Sequence, residues 1–492
     1  MKREFYGIDL GTTYSCIATF GSDDLVRVIP NKKGHMITPS AVYFDENNKM
    51  LVGQAAKAHL ANKPDNTVVF IKREMSNQNY TVTINGQTYD PIQISSFILK
   101  HLVDFANEKR KNEEGKDPIY DVVITVPAYF GNLENTRTKE AGKMAGLNVL
   151  QLIEEPTAAA LSYGQKQQSD KTLLVYDLGG GTFDVSILEF KSGLGKVVVT
   201  RGDHHLGGVD WDKALAQLAL SKIGYSFDSL ETKDQNKLLM VAEDCKQDLS
   251  EEESATMSFT YKGIHNVEIT RQEFEAETQN LMTRTTLLVD EALDVKGLSI
   301  NDIDEVILVG GSTRMPMVAQ MLKKNYNVDA KIVDPDMAVA KGAALTAVQI
   351  TEPERGCDGI VMVGRKGSRG YGLSVIHEDL GRALCRNLIF RDDNLEIRRS
   401  ATFGTNSNGQ TGVNFEFFEN ESNEEWNEIC ENEKIQGRED RIEWGKPVPK
   451  ETPVEVTFER DASGCVRIFA ECSGAKGEFE IVIGSTDNVK SK

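Results

Sequence analysis

Hydrophobic and polar positions divide the 492-residue chain into two stretches of different grain. Up to about residue 350, short apolar runs alternate with segments whose apolar positions recur at helical spacing. The runs "DVVITVPAYF" (121–130), "KTLLVYDL" (171–178) and "DEVILVGGSTRMP" (304–316) each end in a turn. Helix-spaced positions fill "DPIQISSFILKHLVDFANEKRKN" (90–112) and "EFEAETQNLMTRTTLLVDEALD" (273–294). This alternation predicts an α/β domain over residues 1–353. After Pro353 the pattern changes. Residues 354–370, within the Gly- and charge-rich "RGCDGIVMVGRKGSRGYG" (355–372), read as a linker with a short apolar patch, Ile360 to Val363. Beyond it strands dominate, as in "VNFEFFE" (413–419) and "PVEVTFERDASGCVRIFAEC" (453–472), the latter turning at Asp461, Ser463 and Gly464. The second predicted domain, 371–486, is therefore all-β, with a tail at 487–492.

Two glycine stretches repeat. "YGIDLGTTYSCIATF" (6–20) and "VYDLGGGTFDVSILEF" (175–190) each place an Asp two residues before glycine at the end of an apolar run. Neither fits a phosphate loop that leads from strand to helix, GxxxxGK[ST] or GxGxxG. After Gly179, Gly180 and Gly181, the apolar Phe183, Val185, Ile187 and Phe190 mostly alternate with Asp184, Ser186 and Glu189. The glycines thus join two strands of a hairpin, and Gly11, Thr12 and Thr13 stand in the same place in the first copy. Such a turn can aim several backbone N–H groups at a phosphate with no Cβ in the way. Asp9 and Asp177 can meet the accompanying magnesium through its waters. One copy alone would be an ordinary tight turn; two copies suggest an internal duplication, each lobe offering a hairpin to one ligand.

Two further glycine sites fit a nucleotide. In "VILVGGSTRMP", Gly310 and Gly311 precede Ser312 or Thr313 as a helix cap, with Pro316 near the first turn. A flat turn of this kind can press against adenine or ribose. In "GDHHLGGVDWD" (202–212), Gly207 and Gly208 can approach a phosphate, with Asp210 as a cap for the next helix.

Composition narrows the class. At 40% hydrophobic and 27% charged residues the chain reads as an ordinary globular protein, and its net charge of −19 argues against a general affinity for nucleic acid. "MKREFYGIDLG" meets Asp9 before any long apolar run, so no signal peptide is expected, and no apolar stretch approaches the ~20 residues of a membrane span. The seven cysteines are scattered, odd in number and without a CxxC pair, which predicts reduced thiols in the cytoplasm rather than disulfides or zinc. His204 and His205 read as loop residues, not metal ligands.

With these stretches in place, the sequence resembles the heat-shock protein 70 chaperones (DnaK-like), a branch of the actin and sugar-kinase superfamily. The matching runs are "GIDLGTTYS", "LVGQAAK", "DVVITVPAYF", "EEPTAAALSYG", "YDLGGGTFDVSILE", "HLGGVDWD", "VILVGGSTRMP" and "DPDMAVAKGAA". The segment between Lys72 and Tyr89 is most similar to the bacterial HscC-type branch. The resemblance implies an actin-like (ribonuclease H-like) duplicated ATPase domain followed by a β-sandwich that binds peptide. It further implies slow hydrolysis of ATP to ADP with Mg2+, and K+ as a possible third ion. Expected partners are unfolded or native client polypeptides, a dedicated J-domain co-chaperone and a nucleotide exchange factor, with the chain a cytoplasmic monomer acting in protein folding and the stress response.

By the same resemblance, Asp9, Thr12, Thr13 and Tyr14 belong to the first hairpin, and Gly179 to Thr182 to the second. Asp177 stands beside the metal, with Asp184 as a further candidate there and beside the attacking water. Lys72 in "VVFIKRE" matches the catalytic lysine at the γ-phosphate; on residue type alone it would be a surface charge. Glu155, rather than Glu154, matches a carboxylate that places water or metal. Glu243, Lys246 and Ser250 in "AEDCKQDLS" match the helix that grips ribose and base, and Gly310, Gly311, Ser312, Arg314 and Asp336 close the other side. Gln247 stands where many relatives carry Arg.

The chain also departs from the family. Its linker pattern has Gly364 in place of an acid, and no helical lid is expected after the β-domain. Pro127 is present, but the relay arginine eight residues on is Asn135, with Arg137 out of register; the arginine engaged by J-domains corresponds to Gln151. These changes predict altered coupling, not lost ATP binding. The acidic "FFENESNEEWNEICENEKIQ" (417–436), with Trp426, reads as a solvated loop. An alternative function is a nucleotide-dependent regulatory module that holds one partner and refolds nothing. A sugar kinase or filament former is disfavoured by "EEPTAAA" and "VPAYF" together.

Overall fold

The computed structural model describes residues 3–164, 170–355, 361–363, 367–430, 433–435, 440–472 and 475–480. Cys357, Ile360, Gly364 and the 487–492 tail lie outside them. The chain divides into two units, Met1–Tyr129 with Thr138–Val363 and Phe130–Arg137 with Gly364–Lys492.

The first unit is built on two six-stranded sheets that share one order over five strands, the sixth being Thr38–Pro39 beside Tyr14–Phe20 in the first. In one, Asn148–Glu154, Asp121–Val126 and Phe5–Asp9 run parallel, and Phe5–Asp9 then turns into the antiparallel Tyr14–Phe20 and Val26–Val28. In the other, Lys331–Ile332, Glu305–Val309 and Lys171–Leu178 run parallel, followed by the antiparallel Phe183–Lys191 and Leu194–Asp203. Val361–Val363 adds a parallel edge strand beside Leu194–Asp203. The strands are nearly continuous hydrophobic runs because both faces are covered, as the burial of Val122 to Val126 and Leu173 to Leu178 shows. In register, Asp9 faces Cys16 and Asp177 faces Asp184, so both acids sit at the mouths of the glycine hairpins.

Small residues let the helices close over the sheets. Glu155–Gly164 ("EPTAAALSYG") lies against Ala338–Thr351 ("AVAKGAALTAVQIT") with their backbones nearly touching. A Cβ on Gly342 would lie 1.8 Å from the Ala158 carbonyl oxygen, and one on Gly7 would lie 2.0 Å from Ala344 N. Helix Pro91–Lys109 begins at a capping box, in which Asp90 accepts from the Gln93 N–H and Gln93 reaches back to the Asp90 N–H, with Pro91 at the first turn. Its buried face includes Ile94, Ile98, Leu102 and Phe105. The 273–294 pattern forms two helices, not one: Arg271–Glu277 and Gln279–Asp294 meet at the buried Thr278, whose hydroxyl donates to the Phe274 carbonyl. No described helix is long and apolar enough to cross a membrane.

In the second unit, Phe417–Asn420, Gly370–Ile376, Ala383–Ile389 and Trp426–Asn427 form one sheet, and Ile397–Gly404, Pro453–Arg460, Val466–Cys472 and Ala475–Glu480 another. Tyr371, Leu373 and Ile389 from the first pack with Val456, Phe458 and Ile468 from the second in a shared core. The run "VNFEFFE" divides at Glu416: Gln410–Phe415 pairs with Asp440–Val448, whereas Phe417–Asn420 joins the first sheet. The acidic stretch is not simply a solvated loop, since Trp426–Asn427 also pairs with Cys385 and Arg386. Its carboxylates meet arginines on the neighbouring strand and turn, Glu425 with Arg386 at 2.9 Å and Glu428 with both Arg382 Nη atoms at 2.5 Å.

The contact at Gly342 is testable. Alanine has the better helix propensity by about 1 kcal/mol. Overpacking a closed helix pair costs roughly 1–3 kcal/mol, and here the added atom meets backbone that cannot rotate aside. Gly342→Ala should therefore lower the denaturant midpoint; an unchanged or raised midpoint would show that the two helices can separate freely.

Candidate functional site

Both hairpins turn inward on one cleft of about 870 Å³ within the first unit. The second hairpin shows how backbone becomes a binding surface. Gly208 N–H donates to the Gly179 carbonyl at 3.0 Å and Val209 N–H to Gly180 at 2.9 Å. Arg73 donates to the Gly181 carbonyl from Nη2 at 2.9 Å and Nε at 3.1 Å. A trans peptide holds C=O and N–H on opposite sides. Three carbonyls bound in this way fix the planes of the peptides that carry the Gly180, Gly181 and Thr182 N–H groups, and of these residues Gly180 and Thr182 line the cleft, as an anion site requires. In the first hairpin, Ser40 does the same work. Its hydroxyl donates to the Gly11 carbonyl at 2.7 Å and its N–H to the Thr13 carbonyl at 2.9 Å.

The approach works only without side chains. A Cβ on Gly207 would lie 2.5 Å from Gly181 N, and one on Gly180 2.1 Å from Thr13 Oγ1. Gly310, at φ 82°, would set its Cβ 2.4 Å from the Leu178 carbonyl. Gly179, Gly180, Thr182, Gly208, Gly310 and Gly311 line the cleft, whereas Gly181 and Gly207 pack on each other without lining it. Two cap expectations are corrected. Ser312 and Thr313 lie in the 3-10 turn Gly311–Arg314, and the following helix Pro316–Tyr326 starts at Met315 without a side-chain cap. Ser312 instead donates to the Gly179 carbonyl at 3.0 Å. Asp210 sits inside its helix, Gly208–Ser221, and caps backwards by accepting the Gly207 N–H at 2.8 Å.

The charged end of the cleft holds Asp9, Asp177, Lys72 and Glu155. Lys72 stands on the 3-10 turn Ile71–Glu74, is only 5% exposed, and donates to Glu155. Burial first, then the charge of Glu155, pushes Asp9 up to about 7, with Lys72 opposing. Burial also raises Asp177 well above the ordinary carboxylate range, with Glu155, Asp184 and Asp9 adding repulsion. Asp184 is raised by burial and Glu155, but it does not line the cleft and accepts instead from the backbone of Ala128 and Tyr129. Among the described residues no three His, Cys, Asp or Glu side chains group closely enough to ligate a metal directly. Two crowded carboxylates at a cleft floor fit a hydrated hard cation such as Mg2+, held through its waters.

The far end is set by helix Thr232–Glu251, which carries Glu243, Lys246, Gln247 and Ser250 into the wall. Lys246 bonds Asp212 at 2.6 Å and the Gly208 carbonyl at 3.1 Å. Burial pushes Asp212 up to about 6, and Lys246 limits the rise. Ser250 Oγ donates to the Lys246 carbonyl at 3.0 Å. Tyr14 donates to Glu243 at 3.0 Å, and Lys57 bonds both Glu243 at 2.6 Å and the Tyr14 hydroxyl at 2.8 Å. Opposite them, Arg314 pairs with Asp336 and remains 55% exposed. Gly11, Thr12 and Thr13 complete the lining.

Sequence reasoning missed Lys57, Arg73 and Asp212. Each meets a partner far along the chain, and no local spacing announces it. Asn135 and Arg137 on helix Asn132–Met144, and Gln151 on strand Asn148–Glu154, stand outside the cleft lining.

Comparison with known proteins accords with this geometry. A family model described as "Hsp70 protein" matches residues 5–492. The chain is 37% identical, over 98% of its length, to the chaperone protein DnaK of Thermotoga petrophila and to that of Thermotoga maritima, and covers 80% of each. Its identity to the chaperone protein DnaK of Thermosipho melanesiensis is also 37%, with the same coverage. The chain belongs to the Hsp70 family.

Proposed function

We propose that this DnaK-like chain is an ATP-dependent chaperone whose first unit is an actin-like ATPase that hydrolyses Mg-ATP slowly and thereby governs how polypeptide clients are held. The observation that carries this reading is the cleft itself, with two glycine hairpins facing one space, a buried Lys72–Glu155 pair at one end and a polar helix at the other. The printed name of the relatives, chaperone protein DnaK, supports the assignment.

Hydrolysis in such a site is positioning and charge neutralisation. Water attacks the terminal phosphorus and the bridging oxygen leaves with ADP. Lys72 Nζ neutralises charge on the transferring phosphoryl oxygens, and Glu155 holds the ammonium in place. The turned N–H groups of both hairpins receive the remaining phosphate oxygens. Asp9 and Asp177 would hold magnesium through its waters, where it would add to the neutralisation of phosphate charge. Glu243, Lys246 and Ser250 bind ribose and base on one side, and Gly310, Gly311 and Arg314 on the other. In the second unit, an extended peptide would be held weakly and exchange rapidly, through strand-like hydrogen bonds and apolar contacts.

Lys72→Ala should keep nucleotide and lose about a hundredfold in turnover, the usual cost of a contact made chiefly in the transition state. Single-turnover hydrolysis beside equilibrium nucleotide binding measures both, and unchanged turnover would remove Lys72 from the mechanism. Stimulation by a generic J-domain protein should be weak or absent because Asn135 and Gln151 replace arginines. Strong stimulation in the same assay would show that other residues compensate.

Asp9 adds a pH test on the nucleotide-free protein. Its folded pKa, about 7, lies above the ordinary 3.8, so the folded state binds this proton more tightly than the unfolded state. The associated stability is present at low pH and is lost as pH rises from about 4 to 7. Asp9→Asn removes that loss, so between pH 5 and pH 8 the variant should gain about 2 kcal/mol relative to wild type. Thermal unfolding at the two pH values reads the difference, and a gap independent of pH would sink the account.

A further inference from the structure

The three carbonyls of the second hairpin are not held alike. Those of Gly179 and Gly180 accept backbone N–H groups from the start of helix Gly208–Ser221. The Gly181 carbonyl accepts from Arg73, through Nη2 at 2.9 Å and Nε at 3.1 Å. The same guanidinium donates from Nη2 to Asp210 Oδ2 at 2.6 Å. That oxygen also accepts the Gly207 N–H at 2.8 Å, so the carboxylate that caps the helix also anchors the arginine. The Arg73 side chain is largely buried, at 15% exposure. Only a planar fork meets a carbonyl and a carboxylate at once in this geometry; a lysine ammonium is a single point.

Arg73 is also the residue after Lys72 on the turn Ile71–Glu74. We propose that Arg73 is a positioning residue for hydrolysis: by holding the Gly181 carbonyl it aims the Thr182 N–H into the cleft, and it locks the turn bearing Lys72 to the second hairpin. Without it the 181–182 peptide loses the bond that fixes its plane, and Lys72 loses its tie to the hairpin it faces. This rests on reading the cleft as the ATP site.

The test uses the full chain and compares wild type with Arg73→Met, Arg73→Lys and Asp210→Asn. Single-turnover hydrolysis of Mg-ATP is measured beside equilibrium affinities for Mg-ATP and Mg-ADP and beside thermal stability. Loss of alignment typically costs ~10–100-fold in rate. Arg73→Met should fall in that range while ADP affinity stays within about threefold of wild type, and Arg73→Lys should not restore the rate. Asp210→Asn should show a smaller loss, and adding Arg73→Met to it should cost less than Arg73→Met alone. Asp210→Asn alone keeps the proposal testable should Arg73→Met fold poorly, since wild-type hydrolysis by it would also overturn the proposal. Full hydrolysis by Arg73→Met, or full rescue by lysine, would overturn the proposal. So would equal losses of ATP and ADP affinity with a matching fall in stability, since that marks a structural role. A wild-type chain that binds neither nucleotide would instead overturn the reading of the cleft, and Arg73 with it.

Discussion

Backbone pressed against backbone is the constraint from which the rest follows. At Gly181 and Gly207 two loops meet at distances that leave no room for a Cβ, and at Gly310 a third loop meets the end of strand Lys171–Leu178 in the same way. Gly310 also needs positive φ, which an L side chain rarely tolerates. Because these loops touch, helix Gly208–Ser221 can satisfy hairpin carbonyls directly with its first N–H groups. A helix start and a hairpin turn, each with unpaired polar groups, thus complete one another. The hairpin N–H groups are what remains to face the cleft.

That geometry carries an electrostatic cost. Burial and the charge of Glu155 raise Asp9, Asp177 and Asp184 alike, with Asp184 and Asp9 adding repulsion at Asp177, while Lys72 is committed to Glu155. A protein selected for stability alone would not gather these groups, because each buried carboxylate without a partner charge weakens the fold. The arrangement makes sense for a site completed by a polyphosphate and its cation.

The sequence was most informative where function shows in backbone chemistry. Two DLG turns before alternating strands predicted paired hairpins, and both form with their acids in equivalent register. The alternation of strands and helices likewise foretold the mixed α/β first unit. Side-chain roles at loop ends were less legible. Ser312 looks like a helix cap because a proline and a helix follow it, yet its hydroxyl is taken by Gly179 across the fold. Asp210 looks like an N-cap but lies one turn inside, because glycine at 207 and 208 lets the helix begin earlier. In the second unit, seven strand-like residues at 413–419 could not reveal that Glu416 separates two sheets. Such features depend on which backbone and strand partners the fold supplies, and periodicity carries no information about them.

The repeated strand order explains why the cleft has two walls, and what each lobe adds to it explains why it has a direction. Both sheets repeat one strand order, so each lobe brings an acid and a glycine turn to the middle. What was added to each copy differs. The first lobe contributes the turn Ile71–Glu74, whose adjacent lysine and arginine reach Glu155 and Gly181. The second contributes helix Thr232–Glu251, with Glu243 and Lys246 some distance along it. One end therefore carries the buried Lys72–Glu155 pair beside Asp9 and Asp177, and the other carries Glu243 and Lys246, paired with Lys57 and Asp212. A symmetric cleft would present the same groups at both ends; these two unequal additions give it a direction.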